Sequence, residues 1–269
     1  MRTLLRVPAP ARSLASLLAA LLFATLLFAS PARAQAPVAT VTDTGMLVVF
    51  DHDLPVAHEK FTWEWYGDSI IVTAKAKRTL ADAEGKRHQY EKTMLVVVDA
   101  RDLGLLRYQS DQHFQDQLAS RGILPSDTVL TYYTEFNQQG NAVRLVQPPG
   151  RLFVIDTPMF SLFDVMLRSL AGKDFESRRV QLLVTSADTL IMPLATVTKV
   201  KLDTLKVGTR RIPAQHYQLV DPSVQFDLWA DAKGRLLRMT HEGSGMLVER
   251  ALPAAPAPPK PRARPARPR

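Results

Sequence analysis

With 269 residues and no cysteine, the chain can carry no disulfide framework and no thiol to take the lipid of a bacterial lipoprotein. Its formal net charge of +8 is concentrated at the two ends: Arg2, Arg6, Arg12 and Arg33 at one, Lys260, Arg262, Arg264, Arg267 and Arg269 at the other, with no acid beside either group. Residues 35–250 therefore sum to −1, so the basic pI gives no support to a nucleic-acid-binding domain, and no nucleic acid is expected as a partner.

The first arginines precede an uncharged apolar run, LASLLAALLFATLLFA (14–29), followed by Ala32-Arg33-Ala34, a small-x-small cleavage pattern. Positive, apolar and small-residue segments in that order read as a secretory signal peptide over residues 1–34, which directs the rest of the chain to the periplasm. The run is short for a membrane anchor, and no later stretch is long and apolar enough to cross a bilayer.

Period-two alternation dominates residues 35–250, which are expected to form a single domain. After GMLVVFD (45–51), FTWEW places Phe61, Trp63 and Trp65 on one face, and IIVTAKAK (70–77) does the same with Ile70, Val72, Ala74 and Ala76. Tyr66-Gly67-Asp68 between them has turn chemistry, so residues 57–78 read as a hairpin. Further runs lie at 90–99, 103–110, 128–136 and 141–146, the last two flanking the tight-turn tetrapeptide Asn-Gln-Gln-Gly. Gln112 to Arg121 is expected to form a short helix. A second helix is expected within 156–173, with Thr157 as N-cap, Pro158 at the first helical position and Gly172 past the end. Met159, Leu162, Phe163, Met166 and Leu170 recur there at helical spacing, and a helix so apolar must be covered. Strand patterns resume at 178–186, 194–202, 210–220, 224–230, 235–241 and 246–250. About a dozen strands joined by short turns predict a mainly β fold: a large curved antiparallel sheet, an unclosed half-barrel, wrapped around one or two apolar helices. The tail from Ala251 is rich in Pro, Ala and Arg and is expected to be disordered, serving either as a solubilising tail or as a tether to anionic envelope surfaces.

The residues that could carry chemistry mostly fail on spacing. A zinc-protease helix needs His at i and i+4. Four residues after His58 stands Thr62, and four after His241 stands Gly245. Asp51, His52, Asp53 and His58 are dense enough to consider a metal, yet they read as solvated charges at a turn closed by Pro55. Ser244 lies between adjacent glycines and not in a nucleophile elbow, and no phosphate-binding glycine loop is present. No catalytic residue, metal or cofactor is expected. Glu59 shares the parity of Phe61, Trp63 and Trp65; facing inward, it needs a raised pKa or a cationic partner, whereas at a frayed strand end it is wet. His216 shares the parity of Ile212 and Ala214 and reads as a satisfied core or rim histidine.

The stretch VQFDLWADAKGRLLRMTHEG (224–243), with its Asp-x-Lys-Gly turn, resembles the closing hairpin of exported bacterial β proteins. Their layout is similar to that of the outer-membrane lipoprotein carriers, in which a curved unclosed sheet surrounds an apolar cavity plugged by short helices. That resemblance implies a non-enzymatic periplasmic protein holding a lipid or other apolar ligand. Phe61, Trp63, Trp65, Met159, Leu162, Phe163, Met166 and Leu170 would line the cavity, with a movable or a fixed helix. An envelope assembly factor acting through a sheet edge or the basic tail, and a hydrolase, are the alternatives.

Overall fold

In the computed structural model the described residues are 39–81, 84–185, 189–208, 210–222, 224–241 and 243–252, and the expected leader and basic tail lie outside them. Strands β1 (Thr40–Asp51), β2 (Leu54–Tyr66), β3 (Ser69–Ala81), β4 (Arg87–Asp99), β5 (Leu105–Phe114), β6 (Gln117–Pro125), β7 (Val129–Phe136) and β8 (Gln139–Val146) follow one another as an antiparallel meander. The chain then runs through β9 (Leu152–Ile155) and helix α1 (Ser161–Leu170). A second meander comprises β10 (Ser177–Thr185), β11 (Leu190–Ile191), β12 (Leu194–Val207), β13 (Arg210–Val220), β14 (Gln225–Ala230), β15 (Leu236–His241) and β16 (Met246–Arg250). Strand β16 pairs with β1, which joins the two meanders into one 16-stranded sheet running from β11 to β8. The path does not close on itself.

Alternation explains which face is filled. In β4, Tyr90, Lys92, Met94, Val96 and Val98 are buried while their neighbours are partly exposed. The equivalent inner face of β2 carries Glu59, Phe61 and Trp63. All of α1 except Arg168 is buried, as are all four residues of β9. Both elements therefore lie in the concavity of the sheet, where β9 pairs in parallel with β10 and touches β5. A smaller apolar cluster of Leu205, Val207, Ala214 and Leu237, with Ile212, Trp229 and Leu252, packs apart from the main core. Leu236 belongs to the main core and Leu237 to this cluster, so β15 is buried on both faces at that point.

Two expectations about helices are corrected. Residues 112–121 form no helix; they are the end of β5 and the start of β6, turning at Gln115, whose φ is 54°. Local polar composition gave way there to pairing with β4 and β7 on either side. The second helix starts at Ser161 rather than Pro158, and Thr157 is not its cap. The turn at Asn137 and Gln138 has φ of 47° and 71°, the left-handed pair that a two-residue hairpin loop requires. No helix among the described residues is long and apolar enough to cross a membrane.

Candidate functional site

Helix α1 begins against Glu59 on β2. The N–H of Phe160 donates to Glu59 Oε2 at 2.6 Å, the N–H of Ser161 to Oε1 at 3.1 Å, and the Ser161 hydroxyl bonds the same carboxyl. A residue from a distant strand thus supplies the cap that Thr157 was expected to give. Glu59 is fully buried, not wet. Burial pushes its pKa up to about 7, against the lowering effect of those hydrogen bonds.

From Asp164 in its first turn to Arg168 in its last, the helix is also fixed by paired charges. Asp164, fully buried, accepts from the Leu236 N–H at 2.6 Å, from Arg250 at 2.9 Å and from Arg168 at 2.9 Å. Arg168 also bonds Asp43 and lies 4.1 Å over the Trp63 ring; Arg250 lies 4.9 Å over Phe61. The β14–β15 turn comes so close to the helix that a Cβ on Gly234 would sit 2.6 Å from the Arg168 Cα. Its φ of 75° adds a second reason for glycine there.

Ahead of the helix, Asp156 accepts from Lys92 Nζ at 2.5 Å, from Ser110 at 2.9 Å and from the Tyr108 hydroxyl. Burial holds the Lys92 ammonium below its ordinary pKa despite the pull of Asp156. Arg121 on β6, 8% exposed, has a buried Nε with no hydrogen-bond partner among the described residues, and so does the half-buried Arg78 on β3. Alternation could have found these side chains, because Lys92 follows the parity of Met94 and Val96, and Arg78 that of Val72 and Ala76.

Beside the N-terminus of α1 the sheet leaves a cleft of about 430 Å³. Phe160, Phe163 and Pro158 form one wall, Phe226, Met239 and Met246 another, and Val49, Val56 and Ala57 a third. Arg78, Asp51, Thr157, His241 and Ser244 are its polar lining. Phe163 and Phe226 meet edge to face at 5.3 Å, and the His241 ring lies 5.0 Å from Phe226. A hollow of about 600 Å³ elsewhere is lined by Arg235 with Asp231 and by Arg250, whose charges are already paired. The apolar cleft is therefore the better candidate for a ligand.

Of the residues expected to line a cavity, Phe163 lines this cleft. Phe61, Trp63, Met159, Leu162, Met166 and Leu170 do not; they are packed in the continuous core. Trp65 stands 42% exposed near the end of β2 and is not interior. His216 lies beside the smaller cluster, where its Nε2 contacts Asp227 at 2.7 Å and its ring stacks on Trp229 at 4.5 Å; it is only half satisfied, because its buried Nδ1 has no partner among the described residues. Asp51, His52, Asp53 and His58 are exposed, and no group of three metal-ligating side chains gathers among the described residues. His241 Nδ1 lies 2.9 Å from Ser244 Oγ, a nucleophile–base distance. The Ser244 hydroxyl is nevertheless engaged in the turn with the His241 carbonyl and the Met246 N–H. Glu242 lies outside the described residues.

No family model and no curated protein matches the chain. Among solved structures it is similar to a β-barrel-like protein of the domain of unknown function DUF1849 from Brucella abortus, at 9% identity and a TM-score of 0.49, covering 78% of this chain and 96% of that one. A DUF1089 family protein from Pseudomonas aeruginosa gives 13% identity and a TM-score of 0.42 over 69% and 90% of the two chains. These likenesses concern the course of the backbone alone.

Proposed function

We propose that this chain is a non-enzymatic binding protein of the periplasm that holds an apolar small molecule in the cleft between the N-terminus of α1 and strands β1, β2, β14, β15 and β16. The observation that carries this reading is the cleft itself: about 430 Å³ of space lined mainly by aromatic and aliphatic side chains. That size and lining suit a small ligand. The cleft lies beside α1 with the helix in place, so binding needs no displacement of a plug. The lipoprotein-carrier resemblance agrees in kind, although the ligand sits beside the helix and not in the space it fills. The leader-like first 34 residues support export.

Titration with the neutral fluorophore N-phenyl-1-naphthylamine tests the reading. Saturable binding is expected in the unaltered chain. Val56→Trp should weaken it at least about tenfold, because Val56 is 44% exposed at the cleft wall and an indole there fills the space. Leu202→Trp, at a site 74% exposed and away from the cleft, should bind normally. Absence of saturable binding, or equal loss in both variants, would overturn the proposal.

A further inference from the structure

Along β3 the buried residues Ile70, Val72, Ala74 and Ala76 mark the inner face, and Arg78 continues that face towards the rim. An inward guanidinium is costly unless an acceptor meets it. Among the described residues none does. Arg78 lies 4.5 Å over the Tyr90 ring, and its buried Nε has no hydrogen-bond partner. Asp51 shares the cleft but is held by His52 at 2.7 Å and stands largely in solvent. Behind Arg78 the interior stays positive: Arg121 also has a buried, unpartnered Nε, while Asp156 is already occupied by Lys92, Tyr108 and Ser110. Lysine could relieve such a position by losing its proton, but arginine cannot. An anion entering the cleft would supply the acceptor that the described residues do not.

We infer that Arg78 receives the anionic head group, a carboxylate or a phosphate, of an amphiphile whose apolar chain lies against Phe160, Phe163, Phe226 and Met239. This rests on the binding function proposed above and names the ligand's class. The geometry supplies both parts: a charged donor fork at one edge of the cleft and an apolar channel leading from it. A guanidinium matches carboxylate and phosphate oxygens in the same bidentate way, so the two heads share one chemistry.

Calorimetric titration with decanoate, decyl phosphate, 1-decanol, acetate and inorganic phosphate decides the matter. The acids with a chain are expected to bind about tenfold or more tightly than 1-decanol, the size of one charge-assisted hydrogen bond. Arg78→Gln should erase that ratio, and Arg78→Lys, which keeps the charge, should retain part of it. If N-phenyl-1-naphthylamine and every amphiphile fail to bind, the cleft reading falls and takes this inference with it. If the neutral probe binds but decanoate and 1-decanol are equal, or the ratio survives Arg78→Gln, only this inference is overturned. Acetate or inorganic phosphate binding as tightly as decanoate would mark a bare anion site and overturn the amphiphile.

Discussion

Around Asp164 and Arg168 of α1 the charges balance one another, whereas beside Glu59 and the cleft, among the described residues, the inward cations outnumber the acids free to meet them. Asp43 and Asp164 answer Arg168 and Arg250, and the arginines also lie over Trp63 and Phe61. Near the cleft, Lys92 takes Asp156, while Arg78 and Arg121 each keep an Nε with no hydrogen-bond partner among the described residues, and Glu59 is pushed by burial toward its neutral form. Both regions place ionisable groups inside a β concavity, at the same cost of leaving water. The difference is that one region repays that cost within the chain and the other does not. Self-sufficient pairing fixes a helix; incomplete pairing leaves donors beside an open cleft.

The strongest way to break this contrast is to remove the central acid of the balanced region. Asp164→Ala strips partners from Arg168, Arg250 and the Leu236 N–H together, and should lower unfolding stability by about 4 kcal/mol in urea titrations. A loss under about 1 kcal/mol would mean that α1 is held by apolar packing alone. The next effect concerns the cap. A carboxyl with a higher pKa folded than unfolded binds its proton more tightly in the folded chain. Its contribution is therefore complete below about 4.5 and is lost as pH rises through about 7. The decline attributable to Glu59 should be on the order of 3 kcal/mol across that window, and Glu59→Gln should flatten it. A variant that tracks the unaltered chain at every pH would place the titration elsewhere. The smallest effect belongs to Arg78→Gln, which removes a charge that no acid among the described residues pairs with. Stability should change by less than about 1 kcal/mol in either direction. A loss comparable to that of Asp164→Ala would make Arg78 a structural residue and erase the distinction between the two regions.

The interior cations were within reach of the same parity rule that singled out Glu59. Tyr90, Lys92, Met94, Val96 and Val98 alternate along one strand, and only Lys92 is charged. Their partners were not within reach. Asp156 meets Lys92 across 64 positions of sequence, and Glu59 meets Phe160 across 101. Periodicity says which way a side chain faces but not what stands opposite, since strand neighbours are set by topology. The same limit explains the misplaced helix start. Thr157 and Pro158 have the chemistry of a cap and first turn, yet the backbone donors of Phe160 and Ser161 found a stronger acceptor on another strand.

By itself the sequence determined the mainly β class, the positions of most strands, several tight turns and the apolar helix after Thr157. Each is written in residues close together, through alternation, turn chemistry and helical spacing. Tertiary structure alone decided that residues 112–121 pair as strands and that Trp65 stays outside. It also decided that most of the apolar helix face is sealed core, with the open space displaced to the Phe160–Phe163 end. Those outcomes depend on how far a curved sheet wraps around the helix and where it stops. That is a property of sixteen strands acting together, which no local pattern encodes.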